Sequence, residues 1–370
     1  MTQRPRPQAI SVDPGASLEG VVAAHTKLSH VDGQNGTLIL RGKRLDQLAG
    51  HLCFEDAVAH LWQGTLPVPA TGLRDAFAQA RMQAAGVVDI MRSSAPLLST
   101  FELMRLGLAA LPLKDAASPA VSITGALPVL MAGAHRLKTG LDPVLPQPER
   151  SAASDLLHML TGQDNSKPAI DALDRYLVTI LDHGLNASTF AARVIASTQA
   201  DMRDAVLGAM GALKGPLHGG APGPVLDMID EVGTPAMARR WVNAALTRGE
   251  RLMGFGHRIY RTRDPRADVL KAGLQTLPAS PRLALAETVE REAISALKAR
   301  KPERAIETNV EFYTAVLLDA AGIDRTLFTP LFATGRCPGW CAHVAEQQQT
   351  GKLIRPSSIY VGDRQPPFHA

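Results

Sequence analysis

Beyond residue 41, apolar side chains recur at spacings of three and four in one segment after another, and this periodicity limits the fold more than any other feature. It runs through "FEDAVAHLW", "FELMRLGLAAL", "AIDALDRYLVTIL", "STFAARVIAS", "AMARRWVNAAL" and "RLALAETVEREAISALKAR". Pro and Gly separate the segments, as in "LPLKDAASP", "GLDPVLPQP" and "GALKGPLHGGAPGP". Aromatic residues make up only 4% of the chain, while Ala and Leu are abundant, which favours close-packed helices over sheets. One exception precedes the helices: two short β-prone runs flank "DGQNG" within residues 20–41, a hairpin signal. The expectation is an all-α protein with a small N-terminal β hairpin. Its 370 residues, 45% of them hydrophobic, suffice for two domains.

The formal charge of +4 suits anionic ligands. The basic residues are scattered, with no aromatic-interleaved stripe or zinc-finger spacing, so no nucleic-acid partner is expected. Cys53, Cys337 and Cys341 are too few for a disulfide framework and point to a reducing compartment. Within "CPGWC", Cys337 and Cys341 read as core thiols, and no metal site is expected. The start "MTQRPRPQAI" has no apolar signal segment, and no run is read as approaching the ~20 apolar residues that span a bilayer. The expected setting is cytoplasmic, with no membrane partner. No glycine-rich phosphate loop, "HExxH" or "GxSxG" is present.

The segment "TNVEFYTAVLL", residues 308–318, places Glu311 in an apolar run. A helix apolar on nearly all sides is buried, and a buried carboxylate needs a partner or a task. One task is local: Thr308 followed three residues later by Glu is the capping-box pattern, with Glu311 reaching back to a free N–H. The other task is chemistry. Three of the 11 histidines have settings that favour it. His218, in "KGPLHGGAPGPVLDMI", adjoins Gly219 and Gly220 before a helix, where a ligand meets exposed N–H groups and a positive helix end. His257 sits in "MGFGHRIYR". His183 ends an apolar helix in "TILDHGLNAST", just before another, with Asn186 or Ser188 as possible caps.

In "YRTRDPRADVLK", Asp264 reads as an N-cap, Pro265 as the first helical residue and Arg266 as the next. A cation in the first turn opposes the helix dipole, which makes sense if Arg266 faces an anion; the alternative is a surface Arg paired with Asp268 or a nearby acid. Arg336 follows a Gly in "LFATGRCPGW", and Arg355 precedes a Pro in "KLIRPSSIYVG". Arginines on a pinned backbone suit a bidentate grip on a small dicarboxylate.

Six motifs in order, "DHGLNASTFAARVIAST", "GALKGPLHGGA", "MGFGHRIYRTRDPRA", "NVEFYTAVLL", "LFTPLFATGR" and "RPSSIYVG", make the chain resemble bacterial citrate synthase and its relative 2-methylcitrate synthase, from about Gly20 to Gly362. The resemblance implies an almost wholly helical fold, a large and a small domain, and a dimer. It implies that His183, His257, Arg266, Arg336 and Arg355 bind oxaloacetate, with Arg355 supplied by the other subunit. His218 matches the histidine that hydrogen-bonds the thioester oxygen, and His257 the one that protonates the ketone. Leu217, Gly254, Phe255 and Gly256 match backbone contacts to the coenzyme A adenine, and Arg261 a side chain near its phosphates. Glu311 then matches the general base, where most members carry Asp, and no metal or other cofactor is implied. Enolising a thioester does require a carboxylate near the methyl group and a donor at the developing oxyanion.

Gly184 departs from a frequent Glu, and Ser99 and Thr100 stand in place of a frequent His-Pro. The implied domains are 1–218 with 323–370, and 219–322 between them. The leading expectation is condensation of acetyl-CoA with oxaloacetate to citrate. The rivals are the propionyl-CoA reaction, one methylene away, and a non-catalytic metabolite-binding dimer.

Overall fold

A computed structural model describes residues 20–113, 118–216, 218, 222–257, 259–303, 306–360 and 362–363. The hairpin forms as expected, with β1 (Ser29–Asp32) antiparallel to β2 (Thr37–Leu40) and Asp32 paired to Thr37. The turn closes because Asp32 Oδ1 accepts from the N–H groups of Gln34 and Asn35 at 3.1 and 2.9 Å. A third strand that the sequence did not suggest, β3 (Lys43–Arg44), pairs with β2. The turn grips a distant loop: Gly33 O accepts from Arg261 N at 2.8 Å, and a Cβ on Gly33 would lie 2.3 Å from Ile259 O. Only a glycine permits that approach.

Every periodic segment named above is helical. The helices are α1 (Phe54–Trp62), α2 (Gly72–Ala85), α3 (Val88–Arg92), α4 (Thr100–Ala110) and α5 (Pro119–Lys138). Then follow α6 (Ala152–Thr161), α7 (Lys167–Thr179), α8 (Ala187–Ala196), α9 (Met202–Leu213) and α10 (Pro222–Val232). The last five are α11 (Pro235–Thr247), α12 (Pro265–Leu274), α13 (Pro281–Arg300), α14 (Val310–Ala320) and α15 (Phe328–Thr350). Caps set many of the starts. Ser99 and Glu102 form a reciprocal capping box on α4, which explains how the helix begins without the frequent His-Pro.

Helix α5 is the core of one group, packed on α2, α4, α6 and α15. It corrects one expectation, because its 20 residues are long and apolar enough to cross a membrane. Residues Ala120 to Ala134, Ser122 excepted, are instead buried by neighbouring helices. Helices α10, α11, α13 and α14 pack on one another, α12 joins them through α14, and α7 touches both α12 and α14.

Helix α15 also departs from the reading of Gly and Pro as breaks. It runs unbroken through Gly335, Pro338 and Gly339. Close contact explains the glycines: a Cβ would lie 2.6 Å from Ile180 Cδ1 at Gly335 and 2.3 Å from Leu181 O at Gly339. Arg336 therefore projects from the middle of a buried helix rather than from a pinned loop. Cys337 and Cys341 are buried free thiols with Sγ atoms 3.9 Å apart on this helix, as core thiols should be.

Candidate active site

Helix α14 starts where three separate segments meet. Asn309 is its N-cap, and Asn309 Oδ1 accepts from Glu311 N at 3.0 Å. Asn309 also clasps "GFG": its N–H donates to Gly254 O at 2.9 Å and its Nδ2 to Gly256 O at 2.8 Å, while Gly256 N donates to Glu307 O at 2.9 Å. Gly254 has φ +85°, and a Cβ there would lie 2.8 Å from Phe312 Cβ. The next free N–H, that of Val310, donates to Asp264 Oδ2 at 3.1 Å.

These bonds overturn the capping-box reading. Thr308 Oγ1 turns instead to Glu290 Oε1 at 2.7 Å, and the first-turn donors are satisfied by Asn309 and Asp264. The Glu311 carboxylate has no hydrogen bond among the described residues. It is half-buried, and burial pushes it up to about 7; Asp264 adds to that shift, while Arg266 and Arg336 oppose it.

Asp264 caps α12 as expected, and its carboxylate grips the buried Arg266 from both oxygens: Nε to Oδ1 at 3.0 Å and Nη2 to Oδ2 at 2.9 Å. Arg266 is thus buried rather than on the surface, and of the acids nearby its partner is Asp264, not Asp268, which pairs with Arg263. Arg266 Nη2 lies 3.3 Å from His257 Nε2. His257 Nδ1 faces the N–H groups of Ile259 and Tyr260 at 3.0 and 3.1 Å, so the ring proton falls on Nε2. Two donors then face each other, an arrangement that an oxygen accepting from both would satisfy.

His183 is buried beside this pair, 5.9 Å from His257 between ring centroids, with Nε2 3.1 Å from the Tyr260 hydroxyl. Asn186 caps α8 behind it. Arg336 is buried too; its Nε donates to Ile180 O, the only hydrogen bond of its guanidinium among the described residues, and burial lowers it to about 10. His218 Nε2 faces Ser188 N at 3.3 Å and Ser188 Oγ at 2.9 Å. The proton therefore falls on His218 Nδ1, which has no partner among the described residues. Burial, with help from Arg336, lowers His218 to about 4. Burial and Arg266 do the same for His257, and His183 is driven well below its usual value. All three imidazoles are neutral at pH 7.

Five expected residues thus share one electrostatic cluster: His183, His257, Arg266, Glu311 and Arg336, with His218 coupled through Arg336. Phe255, Gly256, His257 and Arg261 line an adjoining cavity of about 820 Å³, with Arg251, Arg300 and Lys301 on its wall. Gly254 is not in that wall; its carbonyl is committed to Asn309. Arg355 is exposed in a segment without helix or strand and makes no bond to this cluster. Leu217 lies outside the described residues.

Sequence reasoning missed Tyr260 and took Asp264 and Ser188 only as caps. It also missed Asp182, which accepts from Ser29 Oγ and faces His343 Nε2 at 3.2 Å, while Ser29 Oγ accepts from Gly184 N at 3.0 Å, bracketing His183. The acidic residue two places before Arg266 was the one available signal; the others depend on distant segments.

The sequence matches the family described as citrate synthase, C-terminal domain, over residues 17–357. It is 42% identical over 351 residues to a putative citrate synthase 2 of Mycobacterium tuberculosis, covering 93% of this chain and 92% of that protein. A 2-methylcitrate synthase of the same species is 36% identical over 367 residues, covering 94% and 90%. The structure of citrate synthase from the thermophilic archaeon Thermoplasma acidophilum, in ternary complex with carboxymethyl coenzyme A and oxaloacetate, superposes with a TM-score of 0.81 at 28% identity, over 94% of this chain and 96% of that one. Fold and relatives define an all-α acyltransferase. The chain belongs to the citrate synthase family.

Proposed function

We propose that the protein condenses acetyl-CoA with oxaloacetate and water to give citrate and free coenzyme A. The observation that carries this reading is the Glu311 carboxylate, which has no hydrogen bond among the described residues, sits within the fields of the buried Arg266 and Arg336, and is raised by burial to about 7. A base poised near the working pH combines a useful ionised fraction with real proton affinity.

In this reading Glu311 takes a proton from the thioester methyl group while the free Nδ1–H of His218 donates to the thioester oxygen as it gains charge. The enol carbon attacks the ketone carbon of oxaloacetate, and His257 Nε2–H gives its proton to the ketone oxygen. Water then cleaves the citryl thioester. Arg266, Arg336 and His183 bind the carboxylates, with Arg355 of a second subunit in a homodimer completing the cradle. The basic wall of the 820 Å³ cavity, Arg261 included, suits the coenzyme A phosphates, and by the family match the backbone of Leu217, Gly254, Phe255 and Gly256 would serve the adenine. Each step uses groups of the chain itself, so the proposal includes no metal or cofactor. Residues 219–322 would form the small domain, closing over the substrates against 1–218 and 323–370. A cytoplasmic setting belongs to the same proposal.

The likeness to a 2-methylcitrate synthase supports a second reading, with propionyl-CoA as the thioester. One methylene in an apolar pocket is worth only ~1–3 kcal/mol. The test is coenzyme A release with oxaloacetate and either thioester, with Glu311→Gln alongside. Turnover that Glu311→Gln abolishes supports the proposal, and the faster thioester chooses between the readings. An inert wild type that still binds oxaloacetate refutes both in favour of a binding protein.

A further inference from the structure

Tyr176, on α7, has no part in the scheme above, yet it lies against the site. Its side chain is fully buried, and among the described residues no group hydrogen-bonds to its hydroxyl. Four residues later, just past the end of α7, Ile180 O holds Arg336 Nε, and Ile180 Cδ1 packs against Gly335 of α15. Helix α7 also packs on α14, which carries Glu311. Tyr176 thus lies on the helix that meets both α14 and α15, and the charges its phenol senses are Glu311 and Arg336. A buried hydroxyl without an acceptor is unfavourable, and so is a desolvated carboxylate without a donor. Here both occur within electrostatic reach of each other.

We propose that Tyr176 is a positioning residue for the base: on closure over the substrates its phenol donates to a Glu311 carboxylate oxygen, fixing the direction of that side chain and favouring its ionised form. The inference rests on Glu311 being the base. Glutamate has one more rotatable bond than aspartate, so its carboxylate needs a hold that a shorter side chain does not. Arg336 Nε is held by Ile180 O and Arg266 by Asp264, and in the scheme above both arginines are engaged by the substrate carboxylates rather than by Glu311. The groups acting on Glu311 are Arg266 and Asp264 from α12 and its N-cap, and Arg336 from α15; the phenol is the donor from α7.

The test is Tyr176→Phe, which keeps the ring and removes one oxygen. Its pH profile of turnover is compared with wild type at saturating oxaloacetate. We expect the acid limb to move up by about one pH unit, turnover on the plateau to fall about tenfold, and KM for oxaloacetate to stay within twofold. In a Glu311→Asp background, where the carboxylate is drawn back, the same substitution leaves the limb in place. Melting at or above the wild-type temperature is expected, because the lost hydroxyl has no protein partner. An unmoved limb, a rise confined to KM for oxaloacetate, or a variant that fails to fold overturns the proposal. Should wild type release no coenzyme A, the reading of Glu311 as base fails separately. The Glu311 carbonyl stretch, isolated by infrared subtraction of Glu311→Gln, still reports its titration, and an equal midpoint in Tyr176→Phe refutes the hydrogen bond.

Discussion

Asp264→Asn isolates the group on which the site's geometry turns. The carboxylate accepts four hydrogen bonds: two from the Arg266 side chain, one from Arg266 N and one from Val310 N. Asparagine retains one acceptor oxygen and so preserves the cap on α12. Its NH2, however, meets Arg266 Nη2 and Val310 N–H as a third donor. Arg266 is 4% exposed, so it is left as a buried charge without its counter-ion. Removing one partner of a buried pair costs about 3–5 kcal/mol. With an unfolding entropy of ~2.1 cal/mol/K per residue, a chain of 370 residues should lose about 4–6 °C in melting temperature, read by calorimetry. The substitution also removes the negative charge that helps to raise Glu311. The acid limb of turnover should therefore shift to lower pH even as the maximal rate falls. A melting temperature within about 1 °C of wild type, together with an unmoved limb, would refute this account of Asp264.

The wild-type pH profile follows from the same charges. Glu311, raised to about 7, must be ionised to act, so kcat/KM for the thioester should rise with pH and level off above about 7; His218 and His257, at about 4, add no limb between pH 6 and 8. Gly254→Ala forces a Cβ against Phe312, next to Glu311, at a backbone φ of +85°. A base displaced by ~1 Å should cost on the order of 100-fold in kcat, with binding of oxaloacetate measured by calorimetry little changed. Arg355→Ala should abolish oxaloacetate binding while the protein elutes at the wild-type size; retained affinity would sink its assignment to the cradle.

Local elements were legible because their causes are local. The periodicity of "AIDALDRYLVTIL" predicts α7, Asp32 with Gly36 makes the hairpin turn, and Asp264-Pro265 starts α12 where the sequence says it should. Even Glu311 announced itself, as a carboxylate where the pattern calls for an apolar side chain. Its role was ambiguous because Thr308 and Glu311 have the spacing of a cap, and nothing nearby in the chain reveals that Asn309 and Asp264 already satisfy those donors. Helix α15 was obscured for a related reason: Gly335 and Gly339 look like breaks until α7 and the segment after it are packed against them.

By itself, then, the sequence determined a chain of capped helices behind a short hairpin, the family it resembles, and the residue types available for chemistry, since periodicity, caps and turns act over a few residues. Tertiary structure decided which of those residues meet. It joined Asp264 to Val310 across 46 residues and Arg336 to Ile180 across 156. It also packed α7, which carries Tyr176, against α14, which carries Glu311, with the phenol hydroxyl left without a hydrogen bond among the described residues. Burial and charge are properties of a packed neighbourhood, and so are the protonation states they impose: a carboxylate near 7 among neutral imidazoles exists only after the helices close around it.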